Sequence, residues 1–125
     1  MKVAIYGQYY LVSTEPIIKD IFVFFNKNNV EMVIEAEFLK MLYEKEIIHE
    51  KYNTFSSHKE LDKSFDMLIS IGGDGTILRA ATLVRDSGVP ILGDSKLGFT
   101  VLITHFCPKL LSTVRMNNID TKLII

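Results

Sequence analysis

Residues 66–71, reading Asp-Met-Leu-Ile-Ser-Ile, run without a break into Gly72-Gly73-Asp74-Gly75-Thr76, and Ile77, Ala80, Ala81 and Val84 follow at helical spacing. A short, nearly continuous apolar run reads as a strand covered on both faces, and apolar residues three and four apart read as the buried stripe of a helix. A strand that turns into a helix within five residues needs backbone conformations that a side chain obstructs, which is the use of three glycines at this point. Strand, glycine turn and helix in that order make one parallel-sheet unit, because parallel neighbours must be joined by a long crossover.

The rest of the chain repeats the pattern. Residues 2–7 read as a buried strand through Val3, Ala4, Ile5 and Tyr6, followed by a loop over residues 8–13. Ser13 or Thr14 can cap a helix that has Glu15 and Pro16 in its first turn, carries Ile17, Ile18, Ile21, Phe22 and Phe25 on one face, and stops within residues 26–29. Residues 30–35 suit a second strand, and Phe38, Leu39, Leu42, Tyr43 and Ile47 predict a further amphipathic helix with a solvated charged face. Residues 49–64 are polar and read as a variable surface connection holding one helical turn near Lys59 and Leu61. Gly88-Val89-Pro90 breaks the third helix and leads into a strand at Ile91-Leu92-Gly93. This alternation predicts an α/β fold with an open, doubly wound, Rossmann-like and mostly parallel sheet flanked by helices. A length of 125 residues suits one domain spanning residues 1–125. Near the end, Val101-Leu102-Ile103 can extend a strand and Pro108 can open a helix through Leu110, Leu111 and Val114. The apolar Leu123-Ile124-Ile125 either packs into this domain or forms a partner surface.

Charge and composition exclude several classes. The net charge of −1 and the lack of a basic stripe argue against a nucleic-acid partner. Residues 17–25 are interrupted by Lys19 and Asp20, and no apolar run approaches the ~18 residues of a spanning helix, so no membrane segment is expected. Residues 1–7 are too short on apolar side chains for a signal peptide, and Cys107 is the only cysteine, which together point to a reducing, cytoplasmic setting. His105 and Cys107 lie two apart but have no companions for a metal site. His49 and His58 read as solvent-facing, and Phe22, Phe24 and Phe25 as core.

The chemistry concentrates at the glycine turn. Glycines let backbone N–H groups approach a ligand, and the helix that follows turns its positive end toward an anion such as a phosphate. An aspartate in that cradle repels phosphate unless it has its own task, such as accepting a hydroxyl proton or holding a metal through water, so Asp74 is the catalytic candidate. The same residues also suit a plain tight turn with Asp74 or Thr76 capping the helix, and spacing alone leaves both readings open. The motif is neither a Walker A loop nor G-x-G-x-x-G. Arg79, one turn into the helix, lies within reach of a phosphate but reads first as an exposed arginine.

Ile71-Gly72-Gly73-Asp74-Gly75-Thr76 resembles the signature shared by NAD kinases, diacylglycerol-type lipid kinases and, more loosely, phosphofructokinases. Residues 1–7 resemble the opening strand of bacterial NAD kinases, residues 65–70 their strand before the motif, and residues 89–93 with Leu97-Gly98-Phe99 their next strand and loop, so the likeness covers roughly residues 1–99. The resemblance implies an NAD kinase/diacylglycerol kinase-like N-terminal domain. It also implies transfer of a phosphoryl group from ATP, or sometimes polyphosphate, to the 2′-hydroxyl of the adenosine ribose of NAD, giving NADP, with a divalent metal such as Mg2+. By position, Asp74 becomes the base or polarising group, Gly72, Gly73, Gly75 and Thr76 shape the phosphate-facing turn, and Leu97, Gly98 and Phe99 form the loop on the adenine side. Without the resemblance, Leu97 and Phe99 read as core. NAD and ATP are the implied partners, and a homo-oligomer is the expected assembly.

This sequence departs from the family pattern in two places. The loop Gly93-Asp94-Ser95-Lys96-Leu97-Gly98-Phe99 is shorter than the usual Gly-Ile-Asn-Thr-Gly-x-Leu-Gly-Phe and lacks its inner glycine. Residues 100–125 do not resemble the family's continuation, and its β-rich C-terminal domain with the Asn-Glu/Asp motif has no counterpart here. The expectation is therefore an NAD kinase domain incomplete as this chain. The alternatives are a catalytically inactive nucleotide-binding or interaction remnant, and a lipid kinase-like fragment, for which the match on either side of the turn is poorer.

Overall fold

The computed structural model describes residues 1–7, 15–72, 74–94 and 121–124. Six strands, β1 (Lys2–Gly7), β2 (Glu31–Glu35), β3 (Asn53–Phe55), β4 (Met67–Ile71), β5 (Ile91–Asp94) and β6 (Thr121–Ile124), form one sheet in the order β3-β2-β1-β4-β5-β6. The first five run parallel, and β6 pairs antiparallel with β5. Three helices accompany them: α1 (Glu15–Lys27), α2 (Ala36–Glu44) and α3 (Asp74–Val84). The chain starts at the sheet centre and moves outward through α1 and α2 to β3. It then returns to lay β4 on the other side of β1 and moves outward again through α3 to β5. Parallel crossovers are right-handed, so two halves that grow in opposite directions carry their helices on opposite faces.

Side-chain alternation along the strands matches that arrangement. Val3 and Ile5 of β1 and Ile69 and Ile71 of β4 join a core with Ile18 and Phe22 of α1 and Phe38 and Leu42 of α2. Ala4 and Tyr6 of β1 and Leu68 of β4 join a second core with Ala80 and Val84 of α3. All five residues of β4 are buried, which is why its sequence reads as an unbroken apolar run rather than an alternating one. Phe22 and Phe25 are buried and Phe24 packs beside them, as expected of core aromatics. Tyr52 meets Phe22 edge-on at 5.3 Å, and its hydroxyl accepts a hydrogen bond of 3.0 Å from Asn26 Nδ2, so the lead into β3 is tied to α1. Burial pushes the Tyr52 phenol above its ordinary range.

Two expectations need correction. The stretch read as a loose surface connection contains β3, which pairs with β2 from Val33 opposite Asn53 to Glu35 opposite Phe55. Only Phe55 of its three residues is buried, so an edge strand of this length leaves no periodic signal. The helical turn in that connection is a 3-10 turn over His58–Glu60. The second helix also stops earlier than Ile47 suggests. Glu46 takes a left-handed conformation at φ 56°, its N–H donates to Tyr43 O at 3.0 Å, and the Ile47 N–H donates to Leu42 O at 3.0 Å. This is a Schellman end, in which Ile47 packs back on Leu42 from outside the helix. Asn29 closes α1 in the same way, with Val30 N–H donating to Phe25 O at 2.9 Å. The proposed cap at Ser13 or Thr14, the elements proposed at residues 101–103 and 108–114, and the His105 and Cys107 pair lie outside the described residues. The backbone of residues 121–124 pairs with β5, Leu123 opposite Leu92 and Ile124 opposite Ile91.

Asparagine tolerates the left-handed region, whereas glutamate is strained there. Glu46→Gly is therefore expected to stabilise the fold by about 1 kcal/mol, read as an upward shift of the urea midpoint at constant slope.

Candidate active site

The point where an open α/β sheet reverses its strand order leaves a crevice at the carboxyl ends of the strands, because the two flanking crossovers leave in opposite directions. Here that point lies between β1 and β4. The two strands finish level, with Gly7 opposite Ile71, so the turn after β4 starts beside the end of β1. Gly7 must lack a side chain, since a Cβ there would come within 2.3 Å of Phe38 Cε1. Phe38 is held in that position from the preceding strand, because Glu35 Oε2 accepts the Phe38 N–H at 2.8 Å and so caps α2.

Beyond Ile71 the backbone turns sharply. Gly72 has φ 147°, and a Cβ on it would lie 2.4 Å from Thr76 Oγ1, so the turn closes directly onto the start of α3. Asp74 is the first residue of that helix, with Gly75 and Thr76 after it. The carboxylate-bearing residue thus sits in the first turn, where helical N–H groups lack intrahelical acceptors. Gly73, Leu97, Gly98 and Phe99 lie outside the described residues.

Two hydroxyls beneath the turn are conspicuous by their surroundings. Ser70, on the β4 face that carries α3, is fully buried, and Thr76 is 1% exposed. Among the described residues neither Ser70 Oγ nor Thr76 Oγ1 has a hydrogen-bond partner. A buried polar group without a partner costs about 1–3 kcal/mol, and native proteins place such groups where water or a ligand meets them. Thr76 therefore does not cap α3, which removes one half of the plain-turn reading.

A cleft of about 290 Å³ opens at the carboxyl ends of β1 and β2. Tyr6 and Gly7 of β1, Glu35, Glu37, Phe38 and Met41 around the β2 to α2 junction, Ser56 after β3, and Arg79 and Leu83 of α3 line it. Arg79 is exposed, as the sequence suggests, and it also faces this cleft. Glu35, Glu37 and Ser56 escape a sequence reading centred on glycines. The available signal was positional, an acidic residue closing the second strand of a doubly wound sheet. No group of three or more His, Cys, Asp or Glu side chains that could hold a metal occurs among the described residues.

Gly72→Ala is expected to lower stability by about 1–3 kcal/mol, because it adds a methyl group at a strained φ against Thr76. Thr76→Val, which loses no hydrogen bond within the described structure, is expected to stay within about 1 kcal/mol of the parent in thermal unfolding while weakening nucleotide binding.

Residues 11–115 match the family model described as the ATP-NAD kinase N-terminal domain. The likeness thus runs past residue 99, and the expectation that residues 100–125 depart from the family's continuation is corrected at least for residues 100–115. The chain is 62% identical over 122 residues to the NAD kinase of Flavobacterium johnsoniae, covering 96% of this chain and 38% of that protein. It is 53% identical over 123 residues to the NAD kinase of Flavobacterium psychrophilum, covering 97% and 38%, and 39% identical over 105 residues to that of Christiangramia forsetii, covering 82% and 36%. The chain therefore spans little more than a third of the length of these curated relatives. A mostly parallel sheet that turns through Gly72 into α3 beside β1 agrees with a match over most of the sequence: this chain belongs to the ATP-NAD kinase N-terminal domain family.

Proposed function

We propose that this chain carries the phosphate-facing part of a site that transfers a phosphoryl group from ATP to the 2′-hydroxyl of the adenosine ribose of NAD, giving NADP. The observation that carries the reading is the glycine turn at the β1 and β4 switch point, closed onto Thr76 and opening α3 at Asp74. Backbone N–H groups at the start of α3 and the positive end of its dipole attract the donor's phosphates. The Asp74 carboxylate takes the proton of the ribose 2′-hydroxyl as that oxygen bonds to the terminal phosphorus. The bond from phosphorus to the bridging oxygen breaks in the same displacement, and the nucleoside diphosphate leaves with the electron pair. Gly72, Gly73 and Gly75 keep the turn open to the phosphates, Thr76 Oγ1 supplies a hydroxyl within it, and Leu97, Gly98 and Phe99 belong to the adenine side.

The divalent cation implied by the family belongs with the donor's phosphates as their counter-ion. Two nucleotides as partners suit a cytoplasmic setting, and no described helix is long and apolar enough to cross a membrane. The assembly proposed is a homo-oligomer, which sedimentation of the purified chain reads directly.

The test is NADP formation from NAD, ATP and Mg2+ by the purified chain, with nucleotide binding followed by calorimetry on the same sample. Asp74→Asn is expected to reduce turnover by at least about 100-fold with an unchanged thermal midpoint, the loss typical of a removed general base. Nucleotide binding without turnover supports the chain as one half of the site. Turnover that survives Asp74→Asn overturns the role of Asp74, and absence of both binding and turnover overturns the reading in favour of an inactive remnant.

A further inference from the structure

We propose that the hydroxyls of Ser70 and Thr76 share one internal water between β4 and the first turn of α3, and that this bridge makes Ser70 a positioning residue for the phosphate-facing turn. The water rests on burial and register alone, whereas its consequence for the turn rests on the phosphoryl-transfer reading. Ser70 is fully buried and Thr76 is 1% exposed, and neither hydroxyl has a hydrogen-bond partner among the described residues. Two such groups at the base of one turn each penalise the fold unless something meets them.

The strand period puts the two hydroxyls on the same side of the sheet. Ser70 shares the face of β4 on which Leu68 packs with Ala80 and Val84 of α3. Gly72 follows at the same spacing, and a Cβ on it would meet Thr76 Oγ1. Two residues of strand advance about 7 Å, which is too far for the hydroxyls to bond each other and close to the ~5.5 Å that two hydrogen bonds through one water span. Small residues leave room at this point. Tyr6 of β1 and Gly93 of β5 flank Ser70 in the register, and Ala80, fully buried, follows Thr76 by one turn of α3. A buried water needs two to four polar partners, and the two hydroxyls supply the minimum, with the N–H groups of a first helical turn, which lack intrahelical acceptors, beside them. Asp74 precedes Thr76 in that same turn, so a bridge that fixes Thr76 to β4 also fixes where the backbone presents Asp74 and Gly75.

Cross-relaxation between water and the purified chain in magnetic resonance reads the bridge directly. A cross-peak from a long-lived water to the amide of residue 76 is expected in the parent and in Thr76→Ser, which keeps the hydroxyl, and is expected to vanish in Ser70→Ala. Urea unfolding adds a readout whose sign decides: removing a buried hydroxyl that nothing meets raises the midpoint, whereas removing one that holds a water lowers it. Ser70→Ala and Thr76→Val are each expected to lower the midpoint, and the double variant to fall no further than the larger single drop, because both remove the same water. ATP titrated well below the midpoint is expected to bind Ser70→Ala about threefold more weakly than the parent, the loss of a modest hydrogen bond transmitted to the turn. A raised midpoint in Ser70→Ala, or a cross-peak that survives in it, overturns the water. Additive losses in the double variant overturn the sharing. Loss of the cross-peak with unchanged ATP affinity overturns the positioning role and leaves the water. Failure of the parent to bind ATP overturns the phosphoryl-transfer reading and the positioning role with it, while the first two measurements still decide the water.

Discussion

The pairing of β1 with β4 is the constraint on which the other elements depend. These strands are distant in sequence, yet they match residue for residue from Val3 opposite Met67 to Gly7 opposite Ile71, and both are covered on each face. Lys2 N–H donates to Asp66 Oδ2 at 2.8 Å and Asp66 N–H donates to Lys2 O at 2.8 Å, which pins the register at the entrance to the pair. With that register set, the carboxyl ends of the two strands coincide at the switch point of the sheet. A slip of one residue would carry the side chains of one strand to the opposite face and undo their fit against the helices there, so the packing that stabilises the two cores also aligns the site.

Much of this was legible from residue order because central parallel strands advertise themselves. Residues 2–7 and 67–71 have no polar face to maintain, and their apolar runs end at glycines. The glycine turn was legible for the same reason, since few other uses account for three glycines between a buried strand and a helix. β3 was not legible, because its hydrogen bonds to β2 are made by the backbone and only Phe55 needs to be apolar. The early end of α2 was hidden by Ile47, which keeps helical spacing from Tyr43 in the sequence but lies beyond the Schellman end that turns it back toward Leu42.

The cleft was illegible for a deeper reason. Its residues come from β1, the β2 to α2 junction, the exit of β3 and α3, and they meet only once the strand order is known. Glu35 has an evident local duty as a helix cap, which masks its second position at a ligand-sized opening. The unpartnered hydroxyls are equally invisible in sequence: Ser70 is one more strand residue until the burial of its Oγ against the α3 face is seen. Sequence reports the chemistry that a single turn concentrates, and it is silent where topology gathers residues from separate segments.

Phe38 belongs to the core under α2 and at the same time walls the cleft, its ring lying over Gly7. Removing such a ring costs about 3–5 kcal/mol, a large share of the roughly 5–15 kcal/mol that a domain has in total. The inner wall of the cleft is therefore set by the packing of the core beneath it. Glu37, at the rim, is exposed and carries no such burden. A substitution at Glu37 therefore changes the charge at the mouth of the cleft without disturbing the packing beneath, whereas one at Phe38 reshapes the cleft only by way of the core.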